Sequence, residues 1–157
     1  MNRGQTMLIE TPRFGKMEVA EERVVTFAEG LLGFRDFKRY FFHEPSEGAA
    51  LQWMQSVELP ALAFVVVDPR LIKPDYEVKV TAAQLEPLEV KDPSQAQVWV
   101  ILTVPEDPSK MTANLQGPIV VNPARRLGAQ IVINEEGATT KYPVLEGLKA
   151  RRKAARA

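Results

Sequence analysis

The sequence has 157 residues, carries 20 Lys plus Arg against 20 Asp plus Glu, and lacks cysteine. That length suits one domain, able to bury roughly 70% of its unfolded surface in a single core. With 45% apolar and 25% charged residues, chain-wide disorder and collagen-like repeats are excluded, and so are disulfides, thiolate metal ligands and a cysteine nucleophile.

No apolar run approaches the roughly 20 residues that span a bilayer. The opening Met-Asn-Arg-Gly-Gln-Thr-Met lacks the apolar stretch of a secretory signal. The expectation is a cytoplasmic protein. Its formal charge of zero conceals a split. Residues 149–157 hold Lys149, Arg151, Arg152, Lys153 and Arg156 and no acid; removing those five leaves 15 basic against 20 acidic residues, a body of net −5. A body over 1–148 followed by a solvated basic tail over 149–157 is expected. The body is poorly suited to phosphate backbones, whose binding relies on Lys and Arg.

Taken in chain order, Phe14-Gly15-Lys16 can reverse Leu8–Ile9 onto Met17–Val19. Twelve prolines cut the rest into short pieces, and proline inside a helix costs about 3 kcal/mol or more. Leu62–Val67 and Val98–Val104 are continuous runs of β-branched and aromatic residues, the pattern of strands buried on both faces. Tyr76–Val80 alternates apolar and charged residues and predicts a half-buried strand. Thr81 opens a short helix that Pro87 stops. Ile119–Val121 and Ile131–Ile133 are shorter strand cores, and Asn134-Glu-Glu-Gly137 is a turn of hairpin type. The tail after Leu148 has helix-forming residues and a thin apolar stripe. Short strands without βαβ alternation predict a mainly β single domain, a small antiparallel barrel-like sheet with one or two short helices.

The catalytic inventory is sparse. His43 is the single histidine, and no nucleophile-elbow motif accompanies it. One histidine with carboxylates matches neither structural zinc nor a facial triad. Gly30-Leu-Leu-Gly33 has neither the spacing nor the Lys-Ser/Thr of a phosphate-binding loop. Glu21-Glu22 and Glu135-Glu136 sit in turn-like contexts, where paired acids are solvated. No catalytic, cofactor-binding or metal-binding residue is assigned.

Apolar residues stand instead where loops are usually polar. Phe27-Ala-Glu-Gly-Leu-Leu-Gly-Phe34 places Phe27, Leu31, Leu32 and Phe34 around two glycines. The segment either plugs the barrel with Phe27 and Phe34, the leading reading, or forms a surface groove with Leu31 and Leu32 exposed to a partner. Gln52–Ser56 packs Trp53 and Met54 into the core or turns one of them outward as an interface anchor, the core reading being the leading one. Met111-Thr-Ala-Asn-Leu-Gln-Gly-Pro-Ile-Val-Val-Asn122 reads as a structural corner. Asn114 and Asn122 bond nearby backbone there, and Gly117-Pro118 makes the break.

These segments, with Trp53–Ser56, Pro60–Phe64 running on to Asp68-Pro69, and Tyr76–Val78, occur in an order that resembles the bacterial flagellar assembly factor FliW family over roughly residues 7–145. Ala28 departs from the family, which more often has proline there. The resemblance implies a non-catalytic, small β-barrel protein. It implies binding to the translational repressor CsrA, which relieves repression of flagellin mRNA, and binding to flagellin, which couples synthesis to export. No direct nucleic-acid or membrane partner is implied. An acidic body suits a basic RNA-binding protein, since complementary charge speeds and orients encounter. The rival reading is a small barrel that stacks single-stranded nucleic acid on Tyr40, Phe41, Phe42 and Trp53.

Overall fold

The computed structural model describes residues 5–78, 80–133 and 139–149. It opens with a hairpin of β1 (Thr6–Thr11) and β2 (Gly15–Ala20), with Leu8 opposite Glu18 and Ile9 opposite Met17. The reversal falls where expected. Gly15 has φ 68°, and the Thr11 hydroxyl both accepts from Phe14 N at 2.9 Å and donates to Gly15 O at 3.1 Å.

Then follow β3 (Val25–Phe27), β4 (Arg39–His43), β5 (Leu51–Ser56), β6 (Ala63–Val67), a short helix α1 (Ala82–Leu85), β7 (Gln97–Thr103), β8 (Thr112–Ala113), β9 (Ile119–Asn122), β10 (Leu127–Gln130) and β11 (Tyr142–Pro143). Residues 144–149 are helical. Thr81 caps α1 in a capping box with Gln84.

Among the described residues, seven strands close a ring in the order β7-β6-β5-β4-β3-β10-β9 and back to β7. Strand direction cannot alternate all the way round an odd-membered ring, so one junction must be parallel. It is β3 on β10, pairing Thr26 with Leu127 and Phe27 with Gly128. Every other junction in the ring is antiparallel, as the sequence pattern predicts.

The barrel wall is apolar on both sides. Period-two alternation sends Val25, Phe27, Tyr40, Met54, Val66, Ile119 and Val121 into one cluster that fills the ring. Burying each such side chain stabilises by about 1.5–3 kcal/mol. Three further clusters lie outside it. The β1–β2 hairpin covers Phe41 with Ile9 and Val19. The segment after α1 lays Leu88 and Val90 over Val120. Ile72, Tyr76 and Val144 cover Val67, Val100 and Leu102. These coats explain the continuous apolar runs over β6 and β7, although only Val66, Val67, Val100 and Leu102 in them are fully buried.

Two predicted strands are corrected. Residues 76–78 and Val80 form no ladder. Tyr76 instead anchors this segment by donating its hydroxyl to Leu115 O at 2.7 Å, and Val78 packs on two outer clusters. The alternation reported a buried face with no neighbouring strand edge. The strand core expected at Ile131–Ile133 lies one step later than β10 itself. Its amides still bond, Ile131 to Pro118 O and Ile133 to Gln116 O, continuing the ladder irregularly. The expected turn at Asn134–Gly137 and the basic tail beyond Lys149 lie outside the described residues.

The parallel junction needs a glycine. A Cβ on Gly128 would meet the Phe27 ring at 2.6 Å, so the ring occupies space that only glycine leaves free. Gly128→Ala is expected to lower stability by about 1–3 kcal/mol through overpacking, measured by denaturant unfolding, and Phe27→Leu in the same chain should recover part of the loss.

Candidate functional site

The loop after β3 and the corner between β8 and β9 meet at one mouth of the barrel. The loop is shaped by its glycines. Gly30 has φ 63°, and a Cβ there would meet the Arg35 backbone at 2.6 Å. Leu31 and Phe34 pair across a tight turn, with Phe34 N donating to Leu31 O at 2.8 Å. Gly33, at φ 83°, takes the third turn position, where positive φ favours glycine. The turn therefore drives Leu31 inward to 2% exposure and lifts Leu32 to 50%.

Gln130, at the end of β10, ties this turn to the corner. Its Oε1 accepts from Leu32 N at 2.9 Å, and its Nε2 donates to Gly117 O at 3.0 Å. Asn114 Oδ1 in turn accepts from Gln116 N at 3.0 Å and Gly117 N at 3.1 Å. A Cβ on Gly117 would stand 2.9 Å from Gln130 Nε2, so the close approach depends on glycine. Pro118 O accepts from Ile131 N, and Met111 O from Val144 N. The corner reading of Met111, Asn114, Gly117 and Pro118 fits this geometry. Asn122 is buried and donates to Leu88 O at 2.9 Å, fastening the outer coat to β9.

Around this junction opens a groove of about 390 Å³, where Leu31, Leu32, Phe64 and Ile101 alternate with Asn114, Gln130, three threonines and Lys141. Of these, Phe64 meets Phe34 edge-on at 5.5 Å. Barrel mouths are common binding positions, because strand ends leave apolar side chains uncovered.

The sequence-predicted partner residues separate. Phe27, Leu31 and Met54 are sealed in the core, which agrees with the core reading of Phe27 and Met54 and corrects the outward reading of Leu31. Leu32 is exposed at the groove, and Phe34 is partly buried against the interior cluster. Trp53 is only partly buried but is covered by the hairpin tip. Phe14 packs edge-on at 5.2 Å and the Arg13 guanidinium lies 4.6 Å from its ring centroid. Beside it, Gln55 donates to Ser56 O, Pro60 O and Leu62 O, pinning the loop after β5. Gln130 carried no signal in the sequence reading; a lone polar residue in a strand is unremarkable until its two partners meet.

Tyr40 and Phe41 are fully buried and offer no ring face to a base. Burial pushes the Tyr40 hydroxyl up to about 12, with Glu58 adding to it. His43 packs edge-on against Phe14 at 4.5 Å, and its Nε2 is buried without a hydrogen-bond partner. Burial lowers its pKa, and the Arg23 charge lowers it further against a backbone hydrogen bond at Glu44. Among the described residues no cluster of three His, Asp or Glu is arranged to hold a metal. No helix among them is long and apolar enough to cross a membrane.

The family model described as FliW protein matches residues 7–144. The chain belongs to the FliW family of flagellar assembly factors. It is 41% identical to the flagellar assembly factor FliW of Natranaerobius thermophilus over 148 residues, covering 92% of this chain and 98% of that protein. With the FliW of Geobacter sulfurreducens it shares 43% identity over 140 residues, 89% and 87% of the two chains. A solved crystal structure of the flagellar assembly factor FliW superposes with a TM-score of 0.82 at 33% identity, covering 88% of this chain and 96% of that one. The mainly β barrel fold is thus shared with a FliW of known structure.

Two measurements probe this site. Gln130→Ala removes the bridge between turn and corner and should cost about 1 kcal/mol. Faster hydrogen exchange at the Leu32 amide is its local signature. For His43, a folded pKa below the unfolded value means the unfolded chain binds more protons as pH falls through about 6.5. Stability is therefore lost on acidification, and melting curves at pH 7.5 and 5.5 should differ less for His43→Gln than for the parent.

Proposed function

We propose that this FliW-family chain acts by protein binding. It takes CsrA, relieving repression of flagellin mRNA, and takes flagellin, matching synthesis to export in the cytoplasm. The observation that carries this reading is the barrel-mouth groove. Two segments far apart in sequence, 27–34 and 111–122, are joined there through Gln130, and Leu32 is presented beside Phe64 and Ile101. A leucine held on a hydrogen-bonded turn is presented in one position, and such preorganisation lowers the entropy lost on binding.

The charge distribution supports the same reading. A body of net −5 over residues 1–148 is attracted to the basic surface by which an RNA-binding repressor grips its message. That attraction acts mainly on association rate and orientation. A groove of this size, with apolar side chains set among polar ones, suits an amphipathic helix or an extended segment of flagellin. The residues around His43 support no catalytic role, since its free nitrogen is buried against aromatic rings.

Calorimetric titration with CsrA and flagellin from the same organism tests the proposal, and absence of heat with both overturns it. Leu32→Asp should weaken binding by about tenfold or more, as for a truncated interface anchor, with an unchanged melting temperature. Leu31→Asp should instead unfold the chain, because it forces a carboxylate into the core.

A further inference from the structure

The acidic body carries one basic depression that the groove and its motifs do not use. It lies on the outer face of the sheet, at the opposite end of the β3–β10 pair from the groove. Thr26 on β3 sits in register between Arg39 on β4 and Leu127 on β10. All three line a concavity of about 220 Å³ together with Arg125 and Arg126 from the turn before β10. Met7 and Val24 supply apolar wall.

Three arginines therefore line one small hollow, with Glu21 as the one acid in its wall. The Glu21 backbone carbonyl already accepts from Arg126 Nη1 at 3.0 Å. The Arg39 guanidinium and the Thr26 hydroxyl have no hydrogen-bond partner among the described residues. Nearby, the Glu58 carboxylate accepts from the backbone amides of Lys38 and Arg39 and is also within the field of the Arg39 charge, so that charge is partly balanced but not hydrogen-bonded. Arg125 reaches Glu89 only at 3.8 Å, with 65% of its side chain exposed. Arg126 holds φ 55°, a left-handed conformation that favours glycine.

We propose that this hollow is a carboxylate-binding site that receives an acidic side chain from a partner protein. Arginine forks match carboxylates through two parallel hydrogen bonds, and the Thr26 hydroxyl adds a donor at the base. The apolar wall of Met7, Val24 and Leu127 suits an aliphatic neighbour of that acid and has nothing to offer a free anion. The surrounding negative body disfavours polyanions such as nucleic acid, whose many phosphates would meet repulsion beyond the hollow. The occupant is thus a short acidic-aliphatic segment. The site is separate from the groove assigned to CsrA and flagellin, so it stands or falls independently of that assignment.

The test uses the full chain and a fluorescein-labelled peptide of alternating Leu and Glu, with its Leu-Gln counterpart and inorganic phosphate as comparisons. Anisotropy should report binding of the Glu peptide at least tenfold tighter than the Gln peptide and weakening with salt. Backbone amides of Thr26 and Leu127 should shift on titration, while Leu32 does not. Arg39→Gln with Arg125→Gln should reduce affinity at least tenfold at an unchanged melting temperature. Should that double variant unfold, Thr26→Val and each single arginine variant must each weaken binding at least threefold. Equal binding of the two peptides, affinity indifferent to the arginine variants, or phosphate matching the peptide in affinity would each overturn the proposal.

Discussion

An odd-membered ring of strands must contain a parallel step, and the rest of this molecule is arranged around where that step falls. β3 and β10 run side by side in one direction, so the segments leaving their C-terminal ends emerge at the same mouth of the barrel. The turn holding Leu31 and Leu32 follows β3, and Gln130 ends β10. Their hydrogen bond at 2.9 Å is a direct consequence of that shared direction. An antiparallel junction would have sent them to opposite ends. The step is made tight by the Phe27 ring lying in the space above Gly128. The same parallel geometry gathers Thr26, Leu127 and the arginines of the preceding turn at the other end.

The second constraint is that the wall is coated outside as well as filled inside. A seven-stranded ring of short strands encloses limited volume, and its interior cluster alone is small for a chain of this length. The hairpin, the segment around Leu88 and Val90, and the helical residues 144–149 each add an outer cluster. Much of the sequence distinctiveness belongs to fastening these coats. Asn122 reaches Leu88 O, Tyr76 reaches Leu115 O and Gln55 holds three carbonyls of its neighbouring loop. Buried polar groups of this kind stabilise little net, but leaving a partner unmade costs about 1–3 kcal/mol, so they fix one arrangement over its alternatives.

Much of this was legible from residue pattern. The hairpin at Gly15, the helix capped by Thr81 and the strands β6, β7 and β9 followed from turn chemistry, capping and β-branched runs. Tyr76–Val80 was misread because alternation reports which side chains are buried and is silent on whether a strand edge lies alongside. The site was half legible. The glycines marked a turn, but which leucine faced outward depends on Gly33 taking φ 83°, a conformational fact that composition does not carry. Gln130 was invisible because both its partners are brought to it by the parallel step.

Charge was the most compressed of the sequence observations. A total of zero resolves into a body of −5 and a tail of +5, and the body itself is uneven. Fields from exposed charges fade over a Debye length of about 8 Å at physiological salt. A hollow with three arginines therefore presents a positive face locally, whatever the sum over the barrel. Long-range attraction to a basic partner and short-range capture of a carboxylate are thus compatible on one small surface. They act at different distances, with net charge governing the approach and the guanidinium geometry governing what fits on arrival.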